Sequence, residues 1–477
     1  MSSYTHDVIV IGAGAGGLGA AGFGASIGLR VALIDKEARN FGGDCLNYGC
    51  VPSKSLLHVA KQFAGAREAA RFGLETAGHA DFKKVMAYVH ERIEIIRKHE
   101  TPEYFDRTVG TESIIGEARL TGEREVTVNG RRLTARIIVL ATGSAARKLD
   151  VPGADQFKQY DNESLFWELD ELPEHLLVVG GGPIACEMSQ AFVRLGSRVT
   201  MINRGERLMD KDPAAAAAVL ERQLRREGVD IRHESEVESF YDARTAILKG
   251  GENLTFSHCL TAVGRSVRTQ GLDLPAAGVL VEDGKIVTDD YYRTTNPAIY
   301  AVGDAYGREM FSHAAEKHNT DLWTNLLSPI DKKHKLDHFS WVTFTEPEVA
   351  TFGKTPEQLE REGTDYEIVT TPFTDDDRAI AADFRESVLI LYLSTGLLSG
   401  GKVLGGCMAA PTAGEMVQEL LLLQILGESY GTLGSKLYAY PVASRINQKA
   451  ARERTKEKLF TPLAKRAMRI AFWAQHK

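Results

Sequence analysis

Residues 7–35 read DVIVIGAGAGGLGAAGFGASIGLRVALID, which is the pattern of an apolar strand, a glycine-rich turn, a small-residue helix and a second strand. Gly12, Gly14 and Gly17 fill the positions of a G-x-G-x-x-G motif. In that motif the first glycine allows a tight turn, the second admits a pyrophosphate to the backbone, and the third lets helix and strand pack closely. Asp35 ends the second strand, where a carboxylate accepts hydrogen bonds from a ribose diol. The stretch therefore predicts a dinucleotide-binding domain.

The same pattern returns in residues 175–203, HLLVVGGGPIACEMSQAFVRLGSRVTMIN. Its three small-residue positions hold Gly180, Gly182 and Ala185. Parallel strands joined by a helix are the unit of a doubly wound sheet, so two such units predict two Rossmann-like nucleotide-binding domains. The expected fold class is therefore α/β.

The end of the second unit, Asn203-Arg204, bears on the choice of nicotinamide cofactor. An acid at this point would accept hydrogen bonds from the ribose diol of NAD and would repel a 2′-phosphate. Here that acid is missing, and Arg204 or Arg207 is placed to pair with the phosphate. We expect NADPH, with NADH as the alternative if these arginines form only a solvated turn.

The composition excludes several classes of protein. The chain has 477 residues, 43% of them hydrophobic and 25% charged, which is typical of a globular protein of about three domains. Its net charge of -7 argues against a nucleic-acid partner, which needs a basic protein face. The N-terminus lacks the features of a secretory signal, and no stretch approaches the roughly 20 apolar residues of a membrane span. We expect a cytoplasmic protein.

A pair of cysteines, Cys45 and Cys50, lies in GGDCLNYGCVPSK, just before a predicted helix. A helix N-terminus and the charge of Lys54 favour the thiolate, and Gly43 leaves room for backbone beside a flat ring. In a reducing compartment such a pair is catalytic or metal-binding. Zinc needs two further ligands and the sequence has no second Cys/His cluster, so no metal site is expected. The other cysteines stand singly in apolar segments and are expected in the core: Cys186, Cys259 and Cys407.

The ordered set of motifs resembles that of the pyridine nucleotide-disulfide oxidoreductases, the family of lipoamide dehydrogenase, glutathione reductase and mercuric reductase. After the first glycine turn and the cysteine pair come ATGS at residues 141–144, the second unit, AVGR at residues 262–265, TTNPAIYAVGDA and FTEPEVATFG. The resemblance implies FAD on the first unit, a nicotinamide on the second, a C-terminal α+β dimerisation domain and a homodimer. Cofactor contacts are then expected at Lys36, Gly43, Lys54, Ala141, Thr142, Gly143, Gly264 and Gly303.

The resemblance also implies roles for individual side chains. Cys45 would be the interchange thiol that meets the substrate, and Cys50 would be the charge-transfer thiol against the flavin. Lys54 and Glu187 would pair beside the flavin, and Asp304 would bind its ribityl chain or pyrophosphate. Electrons would pass from the nicotinamide through the flavin to the cysteine pair.

The substrate side departs from the family. Relatives that exchange disulfides carry a C-terminal His-Pro-Thr motif followed by a Glu, and the His, supplied by the partner subunit, handles protons for the interchange thiol. Here the matching stretch is KLYAYPVASR, with Tyr440 in place of the His and Arg445 in the region of the Glu. Because a tyrosine has an ordinary pKa near ~10, it is a poor base at neutral pH, and reduction of ordinary disulfides should be slow. Reduction of a soft metal ion needs no proton on a leaving sulfur.

Three functions follow. The preferred one is NAD(P)H-dependent reduction, at Cys45, of a disulfide, a soft metal ion or another thiol-reactive substrate. Lipoamide dehydrogenase, working in the NAD-reducing direction on a lipoylated carrier protein, is the enzymatic alternative. A redox-sensing flavoprotein without turnover is the second alternative. Mercuric reductases also have a tyrosine in the region of Tyr440, but they end in a cysteine pair that FWAQHK lacks.

The motif order predicts an FAD-binding domain in residues 1–150 and 271–335, a nicotinamide-binding domain in 151–270, a dimerisation domain in 336–455 and a basic helical tail in 456–477. In the tail, several apolar residues can share one side of a helix: Leu463, Met468, Ile470, Phe472 and Trp473. Such a helix packs on its own protein or on its dimer mate, or makes a weak contact with a membrane surface.

Overall fold

A computed structural model describes residues 4–75, 78–396 and 400–476. The chain divides into two compact units. The first comprises Met1–Gly180, Met188–Arg204 and Val229–Lys335, and the second comprises Gly181–Glu187, Gly205–Gly228 and Leu336–Lys477. The domain boundaries expected at residues 150, 270, 335 and 455 stay a prediction.

The first unit contains the sheet predicted from residues 7–35. Its parallel strands lie in the order Glu112–Ile115, Val31–Asp35, His6–Ile11, Arg131–Leu140 and Ile299–Ala301. The beginning of the fourth of these strands also pairs antiparallel with Glu125–Val128, which pairs with Arg119–Gly122. The central strands are runs of Val and Ile because both faces of the sheet are covered, and Ile9, Val10 and Val139 are fully buried.

Helices of the first unit lie at Ala15–Ser26, Gly43–Asn47, Cys50–Glu68, Phe82–Arg97, Pro102–Tyr104, Asn162–Glu168 and Ser312–Leu327. Helix Phe82–Arg97 shows how the sequence specifies such an element. Asp81 caps it by accepting a hydrogen bond from the Lys84 amide at 3.3 Å. Its apolar side chains recur every three or four residues and are buried: Phe82, Val85, Met86, Val89 and Ile93.

A second parallel sheet of the first unit holds the strands predicted in residues 175–203. Its order is Asp230–Arg232, Arg198–Ile202, His175–Val179, His258–Thr261 and Gln159–Tyr160. Helix Pro183–Leu195 follows the glycine turn. Antiparallel strands accompany this sheet at Val237–Asp242, Thr245–Leu248 and Asn253–Thr255. The predicted α/β class with two Rossmann-like sheets is confirmed.

The second unit is built on an antiparallel sheet of order Ser340–Thr343, Glu348–Gly353, Val403–Ala410, Val388–Ser394 and Tyr366–Pro372. Its buried side chains form one core with helices Ala413–Met416, Gln418–Leu426, Thr432–Ser435 and Arg445–Leu459. Further helices lie at Ala214–Arg226, Pro356–Arg361 and Asp377–Ala381. This is the α+β domain expected at the C-terminus.

The chain ends in two helices separated at Pro462, Arg445–Leu459 and Pro462–Gln475. Thr461 caps the second helix by accepting a hydrogen bond from the Ala464 amide at 3.3 Å. The apolar side chains expected on one side of this helix are all exposed: Leu463, Met468, Ile470, Phe472 and Trp473. Within the described ranges, none of the helices combines the length and the apolar character needed to cross a bilayer.

Candidate active site

The first glycine turn forms a tight cradle at the end of strand His6–Ile11. Gly12 has a φ of +104°, and a Cβ there would lie 2.3 Å from the carbonyl oxygen of Ala141. A Cβ on Gly17 would lie 1.7 Å from the carbonyl oxygen of Gly12. Only glycine fits either position, which is the geometry that a bound pyrophosphate requires of this motif.

Asp35 braces this turn from the end of the neighbouring strand. Its Oδ2 accepts a hydrogen bond from the Ala13 amide at 2.8 Å, and its Oδ1 accepts one from Nδ2 of Asn40 at 3.2 Å. The carboxylate thus stabilises the turn. It also lies at the strand end where we expect it to bind the ribose diol. Lys36 lies on the surface, 3.5 Å from Glu117, and its contact with a cofactor stays a prediction.

The cysteine segment lies against the glycine turn. Gly43 has a φ of +57°, and a Cβ there would lie 2.5 Å from the Cα atom of Gly14. Cys45 belongs to the short helix Gly43–Asn47, and Cys50 is the first residue of helix Cys50–Glu68. The structure thus brings the expected redox pair to the expected flavin turn, and it places Cys50 at a helix N-terminus as predicted.

The two cysteines of the pair interact with each other. Both are reduced in the structure, with Cys45 half-buried and Cys50 exposed. Hydrogen bonding to Cys50 and then burial raise the pKa of the Cys45 thiol far above its ordinary value, and a hydrogen bond from Ser312 opposes this. The direction of this shift favours the protonated form of Cys45, which suits the thiol expected there, and the thiolate expected at Cys50 stays a prediction.

Ser312 was not found from the sequence. Its Oγ lies 3.4 Å from the Sγ atom of Cys50, and it is the first residue of helix Ser312–Leu327. No pattern in the sequence links Ser312 to a cysteine so distant in the chain. The signal that the sequence does offer is a hydroxyl residue shortly after the GDA motif.

Arg265, the last residue of AVGR, connects several motifs. Its guanidinium donates hydrogen bonds to the carboxylate of Asp44, to Oγ of Ser144 at 2.7 Å and to Oδ1 of Asn162 at 3.0 Å. Asp44 directly precedes Cys45, and Ser144 is the last residue of ATGS. Because a guanidinium presents several donors in a fixed plane, one side chain fixes the spacing of three segments.

Asp304 joins the same network. Its carboxylate accepts a hydrogen bond from Oγ of Ser144 and lies 3.8 Å from Nε of Arg265. Burial raises its pKa, while Ser144 and Arg265 act in the opposite direction. The preceding residue, Gly303, has a φ of +61° and donates its amide hydrogen to Nδ1 of His318 at 3.1 Å. The turn expected to meet the flavin is therefore held from both sides.

A short antiparallel pair of strands, Ser144–Ala146 and Arg265–Val267, places ATGS beside AVGR. Oγ1 of Thr142 donates to the carbonyl oxygen of Arg268 at 3.0 Å, and the Arg268 amide donates to the carbonyl oxygen of Gly143 at the same distance. The carbonyl oxygen of Gly264 accepts a hydrogen bond from the Arg147 amide at 3.0 Å. Both motifs thus belong to one hydrogen-bonded strip, and their direct contacts with cofactor stay predictions.

The second glycine turn repeats the geometry of the first. Gly180 has a φ of +134°, and a Cβ there would lie 2.5 Å from the carbonyl oxygen of Ala262. Gly182 faces open space and Ala185 is buried in helix Pro183–Leu195. These are the features of a turn that lets a phosphate approach the backbone.

The two arginines considered for the 2′-phosphate behave differently. Arg204 is exposed. The preceding Asn203 is buried, and its Nδ2 lies 3.1 Å from Nδ1 of His233. The guanidinium of Arg207 instead donates to carbonyl oxygens of its own loop, at Leu208, Met209, Asp210 and Asp212. Arg207 is therefore occupied in shaping a loop, and Arg204 is left as the candidate for the phosphate.

Lys54 and Glu187 were expected to pair. Lys54 is half-buried on helix Cys50–Glu68, one turn after Cys50. Glu187 is buried, and its Oε1 accepts a hydrogen bond from the Phe344 amide at 2.9 Å. Their pairing beside the flavin stays a prediction.

Tyr440, which replaces the expected histidine, is held by a carboxylate. The residue is 67% exposed, and its hydroxyl donates to Oδ2 of Asp377 at 3.1 Å. That hydrogen bond raises the pKa of Tyr440 above its ordinary value. Arg445 lies over the ring, with its guanidinium carbon 5.1 Å from the ring centre. The nearby Tyr438 donates its hydroxyl to Glu419 at 2.7 Å. The residues that replace the His-Glu dyad thus form a different polar cluster.

The remaining cysteines are core residues. Cys186, Cys259 and Cys407 are fully buried, as expected. Burial raises the pKa of each thiol, to about 12 for Cys259. Such thiols are inert as nucleophiles and as ligands at neutral pH.

One cluster has the spacing of a metal site. In it, Nε2 of His334 and Nε2 of His318 lie 3.3 Å and 3.6 Å from Oε2 of Glu309. Burial lowers the pKa of His318, so its ring is neutral, and its Nδ1 accepts the Gly303 amide hydrogen. The ring proton must then sit on Nε2, which has no lone pair for a metal. Within the described residues, Oε2 of Glu309 and the Nε2 atoms of His318 and His334 are buried without a hydrogen-bond partner, so these three atoms face one another at ion-pair distance only.

Two family descriptions match the chain. "Pyridine nucleotide-disulphide oxidoreductase" matches residues 6–319, and its dimerisation domain matches residues 339–451. A dihydrolipoyl dehydrogenase of Thermus scotoductus is 33% identical over 94% of this chain and 97% of its own length. A mercuric reductase of Bacillus cereus is 31% identical over 92% of this chain and 70% of its own length.

Among solved structures, the Cu(II) complex of the HOCl-induced flavoprotein disulfide reductase RclA from Escherichia coli is similar, with a TM-score of 0.82 and 25% identity. That match covers 95% of this chain and 100% of RclA. The chain therefore belongs to the pyridine nucleotide-disulphide oxidoreductases, enzymes that use FAD and NAD(P)H, pass electrons through a redox-active cysteine pair and carry a dimerisation domain for assembly into homodimers.

Proposed function

We propose that this chain is an NADPH-dependent reductase whose Cys45–Cys50 pair delivers electrons to a soft metal ion. One observation carries the proposal: the phenol of Tyr440 replaces the imidazole that handles protons in relatives that exchange disulfides. Electrons reach the sulfurs by the family's route, whereas the usual group for protonating a leaving sulfur is replaced.

The residues of the first unit fit FAD. Gly12 and Gly17 leave a cradle that any side chain would fill, and the network of Arg265, Ser144 and Asp304 fixes the turn expected at the ribityl chain. Bound flavin supplies the two-electron link between the nicotinamide and the disulfide. The chain's own part is to hold the two sulfurs in place.

The proposed reaction balances without a protonated leaving sulfur. Each NADPH gives up two electrons and yields NADP⁺ and a proton. Those two electrons reduce one Hg(II) to the metal, or two Cu(II) ions to Cu(I). Thiolates are soft ligands and select such ions, so Cys45 and Cys50 are suited to hold the acceptor while they reduce it.

Reduction of an ordinary disulfide also requires proton transfer at the site. The thiolate released from the substrate must receive a proton, and a group that titrates near neutral pH does this best. The hydrogen bond to Asp377 raises the pKa of Tyr440 further above neutrality, which makes the phenol a poorer base than a histidine would be. Lipoamide and glutathione disulfide should therefore be slow substrates.

The names of similar proteins support this assignment. One is a mercuric reductase, and another was solved as a Cu(II) complex. The relative named dihydrolipoyl dehydrogenase marks lipoamide as the alternative acceptor, and Tyr440 is the observation that argues against it.

The test is a comparison of acceptors with purified holoenzyme, following NADPH loss with Hg(II), Cu(II), lipoamide, glutathione disulfide and a quinone. We expect at least one metal ion to turn over ~10-fold or more faster than either disulfide, because general acid–base help is missing. Cys45→Ser should abolish this turnover. Tyr440→Phe should leave it within about twofold, and Tyr440→His should raise disulfide reduction. A wild type that reduces lipoamide as fast as the metal ions would overturn the proposal.

We also propose that this enzyme is cytoplasmic and touches an anionic membrane surface through its C-terminal helix. Phe472 and Trp473 are 60% and 64% exposed on a helix that also carries Lys465 and Arg469. The full chain should then co-sediment with vesicles that contain anionic lipid, and Phe472→Ser with Trp473→Ser should abolish this. Equal sedimentation of the variant would exclude the tail as the contact.

A further inference from the structure

The first residues of two helices meet at the Sγ atom of Cys50. Cys50 is the first residue of helix Cys50–Glu68, and Ser312 is the first residue of helix Ser312–Leu327. The Oγ atom of Ser312 lies 3.4 Å from the Sγ atom of Cys50. The residues are 262 positions apart, so this contact exists only because the fold brings the GDA segment to the cysteine segment.

Both helix ends favour a negative charge at this sulfur. The N-cap residues, Gly49 and Phe311, provide no side-chain hydrogen bond to the free amides, and neither first turn contains an acidic residue. The positive ends of the two helix dipoles are therefore not neutralised by the chain's own caps. A thiolate at Cys50 has two such ends within its surroundings, while Cys45 lies inside the short helix Gly43–Asn47.

The hydroxyl of Ser312 has one hydrogen to donate. It lies 3.4 Å from the Sγ atom of Cys50, and it also lowers the pKa of Cys45. A hydroxyl donates preferentially to the charged acceptor, because charge-assisted hydrogen bonds are roughly twice as strong as neutral ones. By the proposed roles of the pair, the charged acceptor in the reduced enzyme is Cys50, the sulfur that lies at a helix N-terminus and 3.4 Å from Oγ of Ser312.

We propose that Ser312 is a catalytic residue, whose hydroxyl donates a hydrogen bond to the Cys50 thiolate and keeps that sulfur ionised at neutral pH while Cys45 stays a thiol. This rests on the proposed roles of the two cysteines in electron transfer, and it adds a residue that those roles do not include. The hydroxyl thereby decides which sulfur of the reduced pair faces the flavin as an anion.

The test compares wild type with Ser312→Ala, Ser312→Thr and Ser55→Ala as two-electron-reduced holoenzymes. Ser55 is the matched control, because it lies on the same helix as Cys50 and donates its hydroxyl to the Val51 carbonyl oxygen at 2.8 Å. Long-wavelength thiolate–flavin absorbance is titrated against pH. Separately, the rate of iodoacetamide alkylation of Cys50 is followed by peptide mass spectrometry, because this rate follows the thiolate fraction without relying on turnover.

Loss of a hydrogen bond to a charged group should move both titration midpoints up by about one pH unit in Ser312→Ala. Ser312→Thr keeps the hydroxyl and Ser55→Ala leaves it untouched, so both should titrate like wild type. Midpoints in Ser312→Ala that match wild type would overturn the proposal, as would a threonine variant that titrates like the alanine variant. Absence of the absorbance band in wild type would instead count against the proposed electron route, and the alkylation rates would still decide the role of Ser312.

Discussion

Arg204 and Arg207 show that the surroundings of an arginine decide whether it is available to bind a 2′-phosphate. Both stand where a 2′-phosphate would be met, but the guanidinium of Arg207 is taken up by carbonyl oxygens of its own loop. The exposed Arg204 keeps its charge available to a ligand. Arg204→Ala should therefore lower kcat/KM for NADPH about tenfold, the usual effect of one charged contact, and leave NADH little changed. Steady-state kinetics with both cofactors measure this; a wild type that strongly prefers NADH would contradict it.

At this scale the sequence predicts some site residues well and others not at all. Cys45, Cys50 and the glycines of the first turn were predictable because each motif is local and its geometry depends on neighbouring residues. The contacts of Arg265 with Asp44 and of Ser312 with Cys50 join residues 221 and 262 positions apart. Such contacts depend on how distant segments are placed, which no spacing in the sequence encodes.

At the scale of elements, the strands and helices around the two glycine turns follow directly from hydrophobic periodicity. Continuous Val and Ile runs became the buried parallel strands, and the three-to-four spacing of apolar residues became helix Phe82–Arg97. The short strand pair Ser144–Ala146 and Arg265–Val267 was not predicted, because three-residue strands carry no period of their own.

The close approach of two elements gives a sharp test of the flavin turn. Gly43→Ala would place a Cβ 2.5 Å from the Cα atom of Gly14 in a backbone conformation with φ of +57°, so the two segments must separate. We expect loss of FAD retention and a fall in stability of about 2 kcal/mol or more. Gly65→Ala is the control, because a Cβ there meets only open space within helix Cys50–Glu68; it should stabilise by up to about 1 kcal/mol. Flavin retained on gel filtration and thermal melts measure both, and equal behaviour of the two variants would contradict the close approach.

Helix Gln418–Leu426 carries the clearest candidate for the subunit contact. Leu420 and Leu423 pack into the core, while Leu422, Ile425 and Leu426 on its other side are 54%, 54% and 62% exposed. Ile425→Asp would bury a charge in an interface and should weaken the dimer by ~100-fold or more. Analytical ultracentrifugation measures this. The control is Phe72→Asp, an exposed apolar residue of the other unit at 77%; dissociation by both variants, or by neither, would place the interface elsewhere.

At the scale of the whole molecule, the residues expected on the electron route and those at the position of the proton-handling dyad have different surroundings. On the electron side, Arg265, Ser144 and Asp304 form one connected set of hydrogen bonds with the cysteine segment. On the proton side, Tyr440 and Arg445 meet Asp377 at an exposed site. The proposed function rests on this contrast, because the residues of the family's electron route are kept and the proton-handling histidine is replaced by Tyr440.

The stability of the second unit should depend on pH through a buried carboxyl group. Asp212 accepts a hydrogen bond from Nε1 of Trp341 at 3.1 Å and another from Thr351, and burial raises its pKa above the ordinary value. A raised pKa in the folded state means that this group's contribution to stability is fully present below about pH 4 and is lost as pH rises through the folded pKa. Asp212→Asn keeps an oxygen acceptor and removes the buried charge, so at pH 7 it should raise the free energy of unfolding by on the order of 1 kcal/mol. Denaturant unfolding of wild type and variant at pH 4 and pH 7 measures this: the difference should appear at pH 7 and disappear at pH 4, and a destabilised variant at pH 7 would show that the ionised carboxylate is needed.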